Sequence, residues 1–253
     1  MKRLRSGFTL VEVSLFLAIT AAIFVGVAVG TQNSIFQQRY NDSIQSFAEF
    51  LRSIYSQVLN VQNENLGRSD KAIYGKIVVF GVDNNSGENR IVSYNVIGNI
   101  NSGVESGSML ELMASLGITT KDGDNSVGFV EDFQPKWGSQ IQTTEGWENG
   151  RYKVFSGALL ILRHPNSGTV NTYFTKKDLG IENPLDGFKK ENDAYKGLEF
   201  DKSDIDFCIN PNGAGKTNLR RDVRIVKNAR NSSGIEVIGD ENDENDNGNR
   251  CRQ

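Results

Sequence analysis

The residues whose types and spacing could do chemistry are few, and most fall in the last third of the chain. Asn212-Gly-Ala-Gly-Lys-Thr217 ends like a phosphate-binding loop. Such a loop needs a glycine five residues before its Gly-Lys, where Asn210 stands, and a helix after it, whereas the residues that follow read as a strand. A hairpin turn is the expectation. His164 is the single histidine, set before Pro165 at a turn, and spacing places no Ser or Cys nucleophile with an acidic partner around it. No carboxylate spacing singles out an acid/base pair, so the chain is expected not to be an enzyme. In the acidic tail, Asp243, Asn245, Asn247 and Gly248 match positions 1, 3, 5 and 6 of a calcium loop, but its position-12 glutamate would fall one residue past Gln253. The tail is either a calcium site completed by carbonyls or a solvated acidic segment; no other cofactor is implied. Lys216, Arg220, Arg221, Arg224, Lys227 and Arg230 form a basic run interrupted by Asp222. On a strand Arg220, Asp222 and Arg224 share a face, so the run is a DNA-binding patch or a salt-bridged sheet surface.

The remaining candidate is Glu12. It is the only charged residue from Phe8 to Gly30, in an apolar run long enough to cross a bilayer core of roughly 30 Å. A carboxylate in such a span is costly and calls for a partner. Cleavage between Gly7 and Phe8 would supply one, an α-amino group four residues from Glu12.

Ser6-Gly7-Phe8-Thr9-Leu10-Val11-Glu12, preceded by Lys2, Arg3 and Arg5, closely resembles the processing and N-methylation site of type IV prepilins and type II secretion pseudopilins. The resemblance implies that a prepilin peptidase cuts after Gly7 and methylates the Phe8 amine. It also implies that Glu12 serves filament assembly by pairing with the Phe8 amine of a neighbouring subunit. Phe207-Cys-Ile-Asn-Pro-Asn-Gly213 and Arg220-Arg-Asp-Val-Arg-Ile-Val226 are loosely similar to the end of H-type pseudopilins and minor pilins. Some pseudopilins hold calcium near a C-terminal loop, and some minor pilins bind DNA through a basic C-terminal region. Many relatives carry a kinking proline roughly where Val29 stands here. The function implied is that of a structural subunit, a minor pilin or pseudopilin, of a type IV pilus or type II secretion-like filament. Alternatives are a DNA-binding or adhesive subunit displayed on such a fibre, and a membrane-anchored envelope protein that never polymerises. An ordinary signal peptide has a shorter apolar region and an A-x-A-like site, which this run does not end in.

Composition is that of a turn-rich globular protein, with 38% hydrophobic residues, 26 Gly and 4 Pro in 253 residues. The net charge is −3, and loss of the three leader cations leaves 25 basic against 31 acidic residues, near −6, which excludes wholesale coating of nucleic acid. Those leader cations orient the N-terminus to the cytoplasm and the folded part outside, in the periplasm or on an extracellular fibre. On that oxidising side Cys208 and Cys251 are expected to form a disulfide, worth about 4 kcal/mol by chain entropy.

The elements that must carry these residues follow from periodicity. Phe36, Tyr40, Ile44, Phe47, Leu51, Ile54, Tyr55 and Val58 recur at three- and four-residue steps, extending the apolar run into one helix from Phe8 to about Val61. Within the run Gly26 and Gly30 form a G-x-x-x-G pair that permits close helix approach. Beyond Asn65 the period becomes two, with strands expected at Ile73–Val82, Arg90–Ile97, Val127–Phe133, Tyr152–Leu162, Thr169–Thr175, Leu198–Ile209, Asp222–Asn228 and Ile235–Ile238. A short helix is expected at Met109–Leu116 and a surface loop at Lys177–Lys196. The fold class is therefore α+β, a long helix laid on an antiparallel sheet. Its organisation reads as a leader at 1–7, a membrane and assembly helix at 8–30, an amphipathic half at 31–65, a β-rich globular part at 66–239 and an acidic tail at 240–253.

Overall fold

The computed structural model describes residues 9–61, 71–82, 89–100, 113, 115–122, 126–127, 129–148, 151–176, 185, 188, 204–210 and 221–239. A single helix, α1 (Leu10–Leu59), spans 50 residues, about 75 Å at 1.5 Å per residue. Thr9 begins it with a capping box, and the Asn60 N–H closes it by donating to the Ser56 carbonyl. No proline interrupts it, and it runs unbroken through Val29. The expected stripe is seen: Tyr40, Ile44, Phe47, Leu51, Ile54, Tyr55 and Val58 are buried, while Phe36 is half-buried and Phe50 joins the buried set.

The strands are β1 (Lys71–Val82), β2 (Asn89–Asn99), β3 (Lys121–Asp122), β4 (Ser126–Val127), β5 (Phe129–Phe133), β6 (Gln140–Glu148), β7 (Arg151–Val154), β8 (Gly157–Arg163), β9 (Val170–Thr175), β10 (Ile205–Asn210), β11 (Arg221–Ile225) and β12 (Ile235–Ile238). All pairings among them are antiparallel. The class is thus α+β, but the single expected sheet is two. One has the order β5-β2-β1-β8-β9 and the other β12-β11-β10-β6-β7, with β3 and β4 forming a separate ladder. The difference arises inside Tyr152–Leu162, expected as one strand. It breaks at Phe155-Ser156 into β7, paired with β6, and β8, paired with β1 and β9. Phe155 is the corner. Its N–H donates to the Ile141 carbonyl at 2.8 Å, and its ring meets Phe80 at 5.1 Å, Phe174 at 5.5 Å and Phe207 at 5.5 Å. A side chain at Gly157 would strike the Thr175 carbonyl and the Phe155 ring, so only glycine lets the chain turn this corner. β6 was not expected, because Gln140-Ile-Gln-Thr-Thr lacks an apolar alternation.

The two sheets hold α1 between them. Val78, Phe80, Ile91, Leu159 and Ile161 of the first sheet and Ile141, Phe207, Ile209, Val223 and Ile225 of the second pack with the helix in one core. Phe47 sits where all three meet, 5.6 Å from Phe207 and 6.3 Å from Phe80, both edge-to-face. The other face of the first sheet buries a second cluster, with Ile77, Val79, Tyr94 and Leu160 against Met113, Leu116, Leu185 and Phe188. A bulge between Ile73 and Gly75 shifts the register, keeping Ala72 and Tyr74 on the same face as Ile77 and Val79. Leu185 and Phe188 correct the reading of Lys177–Lys196 as a surface loop. An apolar pair three apart in a polar segment is enough to close a sheet face. Met113 and Ser115 are helical, within the short helix expected there.

Candidate functional site

Two places carry most of the residues singled out by sequence, and a third carries residues that were not. At the start of α1, Glu12 is the third residue of the helix and its carboxylate closes the capping box. Its Oε2 accepts from the Thr9 N–H at 2.9 Å and from the Thr9 hydroxyl at 3.0 Å, while the Glu12 N–H donates to Thr9 Oγ1 at 3.3 Å. The second carboxylate oxygen has no such bond, and the group faces outward on an exposed turn. Gly7 and Phe8 lie outside the described residues. From Leu10 onward the first half of the helix touches nothing else: Leu10 is 86% exposed and Phe24 77%. Gly26 and Gly30 have no atom within 4 Å of where a side chain would begin. The most apolar stretch, of mean hydropathy 2.4, is long enough to span a membrane.

The second place is the β10–β11 ladder, which holds the described part of the basic run. Arg224 stands directly across from Asp206, and its Nε donates to Asp206 Oδ1 at 2.5 Å. Asp222, with no exposed surface, lies 3.5 Å from the same guanidinium, and Asp204 lies at 4.0 Å. Desolvation works against the Arg224 charge, but the hydrogen bond and charge of Asp206, with Asp222 and Asp204, outweigh it and raise its pKa. Arg224 is therefore an internal counter-ion to three carboxylates, only 14% exposed at its side chain. Arg221 starts β11, where its N–H donates to Tyr40 Oη at 2.8 Å while that hydroxyl donates to the Ile209 carbonyl. Tyr40 thus ties α1 to both strands flanking residues 211–220. Lys227 and Arg230 are exposed beyond β11, and neither side chain is in an ion pair among the described residues. Both line a cavity of about 260 Å³ whose walls include Val170, Thr172, Ile205 and Ala229. Lys216, Arg220, the calcium-loop candidates Asp243, Asn245 and Asn247, and Cys251 lie outside the described residues. Cys208 is buried on β10. Among the described residues no cluster of His, Cys, Asp and Glu could hold a metal ion.

The third place is the polar seam between α1 and the first sheet, which sequence reasoning passed over. Lys76 projects from β1 into it and is buried, and its Nζ has no hydrogen-bond partner among the described residues. Burial pushes the Lys76 pKa down, with Glu131 opposing. Glu131 in turn accepts from Gln57 Nε2 of α1 at 2.9 Å. The signal was a lysine inside an otherwise apolar strand, Ile73-Tyr-Gly-Lys-Ile-Val-Val-Phe80. His164 is a turn residue, its Nδ1 accepting from the Asn166 and Ser167 N–H groups.

What the arrangement offers, then, is a two-part helix, apolar and unaccompanied at one end and locked between two sheets at the other. No protein-family model, curated protein or solved structure matches the chain.

Proposed function

We propose that the chain is a non-enzymatic structural subunit, a minor pilin or pseudopilin of a type IV pilus or type II secretion-like filament. The observation that carries this reading is the division of α1. Its first half is exposed and apolar with a lone carboxylate at the start, while its second half is the centre of a folded core. The capping box would serve a plain anchor as well, but a carboxylate in or beside lipid costs energy, and a partner's amine would offset that cost. In a bundle of such helices the apolar halves bury one another, at roughly 25 cal/mol per Å² of apolar surface. The capping box leaves one Glu12 oxygen open to a neighbour's amine. In this reading the chain inserts with its N-terminus inside, is cut after Gly7 and methylated at Phe8 by a prepilin peptidase, and joins other subunits through Glu12.

Replacement of Glu12 by Ala should leave insertion intact and abolish incorporation into fibres, scored by immunoblot of sheared filaments. Incorporation at the level of the unmodified chain refutes the role. Mass spectrometry of the mature N-terminus separates this reading from a plain anchor: an intact residue 1, or a cut near residue 30, defeats it. The DNA-binding reading is supported by Lys227 and Arg230, two exposed cations with no ion pair among the described residues. A gel shift at two salt concentrations tests it, with binding expected to weaken as salt rises.

A further inference from the structure

The rim of the folded part nearest the apolar span is built by the short turn Lys136–Gly138 lying against α1. The turn is fixed from both sides. Ser139 donates its N–H and its hydroxyl to the Lys136 carbonyl at 3.2 and 2.9 Å, and its hydroxyl also meets that of Ser43 on the helix. At the apex Trp137 adopts φ 61°, a left-handed backbone that a bulky side chain rarely takes. The conformation does not serve burial, since Trp137 is 52% exposed. Its indole N–H makes no hydrogen bond among the described residues, and its ring covers the guanidinium of Arg39 at 4.8 Å. Neither Arg39 nor the exposed Lys136 forms an ion pair among the described residues. Ile35, 47% exposed, lies one helical turn before Arg39.

We infer that this rim is a contact for the surface of a bilayer carrying anionic headgroups, with Trp137 at headgroup level and Arg39 and Lys136 facing the lipid phosphates. The placement follows from the helix. Arg39 is nine residues beyond Gly30, about 14 Å along the axis. The headgroup layer extends roughly 5–8 Å beyond the hydrocarbon core. Helical side chains lean toward the N-terminus, so the Arg39 guanidinium and the ring stacked on it lie closer to the bilayer than the Arg39 backbone. A tilt toward the Trp137 side, within the roughly 0–40° range of membrane helices, would lower the ring by a further few ångströms. Thr31, Gln32 and Ser34 put polar groups in the intervening layer. An amphipathic ring beside two cations that have no ion pair among the described residues is the chemistry that interfacial belts use. The inference rests on the membrane-spanning part of the reading above and is independent of filament assembly.

The test uses the full chain with Trp147→Phe, leaving Trp137 as its single tryptophan. The protein is reconstituted in vesicles containing phosphatidylglycerol or only phosphatidylcholine, with nitroxide on the headgroup or at mid-chain. In the anionic vesicles the headgroup nitroxide is expected to quench Trp137 at least twofold more than the mid-chain one. Lys136→Gln should lower the ratio of contacting to free rims about fivefold, and removal of the anionic lipid, which takes away the attraction for both cations, roughly 30-fold. Floated protein whose Trp137 is untouched by the headgroup nitroxide overturns the contact. So does quenching indifferent to both lipid charge and Lys136→Gln. Protection that grows with the protein-to-lipid ratio also overturns it, revealing a second copy on the rim. Protein that does not float with vesicles defeats the anchor itself, and the rim contact with it.

Discussion

Replacing Arg224 with Met isolates what the carboxylate cluster does. Asp206 is 2% exposed at its side chain and Asp222 not at all, so both need the guanidinium that lies 2.5 and 3.5 Å away. Removing the cation while leaving the anions typically costs about 3–5 kcal/mol, a large share of the roughly 5–15 kcal/mol that holds a domain together. Asp204, 31% exposed and 4.0 Å off, adds little to that figure. For a folded part of this size each kcal/mol moves the midpoint about 2–4 °C, so the variant should melt roughly 6–20 °C below the parent. Thermal unfolding of the full chain in detergent micelles, followed by near-ultraviolet circular dichroism, reads the shift. The triple variant Arg224→Met, Asp206→Asn, Asp222→Asn should regain most of the loss, because two of the buried charges that faced the guanidinium go with it. A single variant melting within about 2 °C of the parent would refute the reasoning. If that variant instead lost salt-dependent DNA binding at unchanged stability, Arg224 would be a phosphate ligand and the ion-pair reading would fall.

Phe47→Ala should destabilise by about 3–5 kcal/mol, since it empties the point where helix and sheets meet, and denaturant titration checks it. A loss under about 1 kcal/mol would mean that the two sheets close on each other without the helix. Gly75→Ala would drive a methyl group into the Ile161 carbonyl, uncoupling β1 from β8, whereas Gly26→Ala and Gly30→Ala meet nothing within the chain. The first should unfold the core; the latter two should melt like the parent and reveal themselves only in helix–helix association. The response to alkaline pH should have two parts. The Lys76 pKa is lowered on folding, so the unfolded chain binds more protons up to its ordinary 10.5, and stability rises with pH through that window; Lys76→Met should flatten the rise. Burial raises Tyr55 and Tyr173 to about 12, so stability should fall between about pH 10 and 12, by about 1.4 kcal/mol per pH unit for each; Tyr55→Phe should remove its share, measured by urea midpoints across that range.

The helix was legible because its signal is one-dimensional. A 3.6-residue stripe from Tyr40 to Val58 names its own buried face, whereas the capping box of Thr9 and Glu12 was not read and the helix starts at Leu10 and not at Phe8. Most strands were legible by alternation, and the β8–β9 hairpin by its Pro-Asn-Ser-Gly turn. The division into two sheets was not, because Tyr152–Leu162 reads as one continuous strand-like apolar run and only the crowding around Gly157 breaks it. The polar β6 earns its place from its neighbours β10 and β7 and not from its own composition. At the candidate sites, charge was visible but pairing was not. Arg224 looks like its basic neighbours until β10 sets Asp206 opposite it. The stack of Trp137 on Arg39 joins residues 98 positions apart that no local pattern links.

The corner at Phe155 gives the fold a mechanical property. Both sheets clasp the same helix and are joined to each other by a two-residue bridge, with Tyr40, Arg52, Tyr55 and Leu59 of α1 each bonded to one sheet or the other. A pull on the apolar end along the axis cannot peel the helix from one surface at a time. It loads the aromatic contacts and the cross-links to both sheets in parallel, as shear. The attachment of the apolar half of α1 to the folded body is therefore a joint loaded in shear and not a hinge.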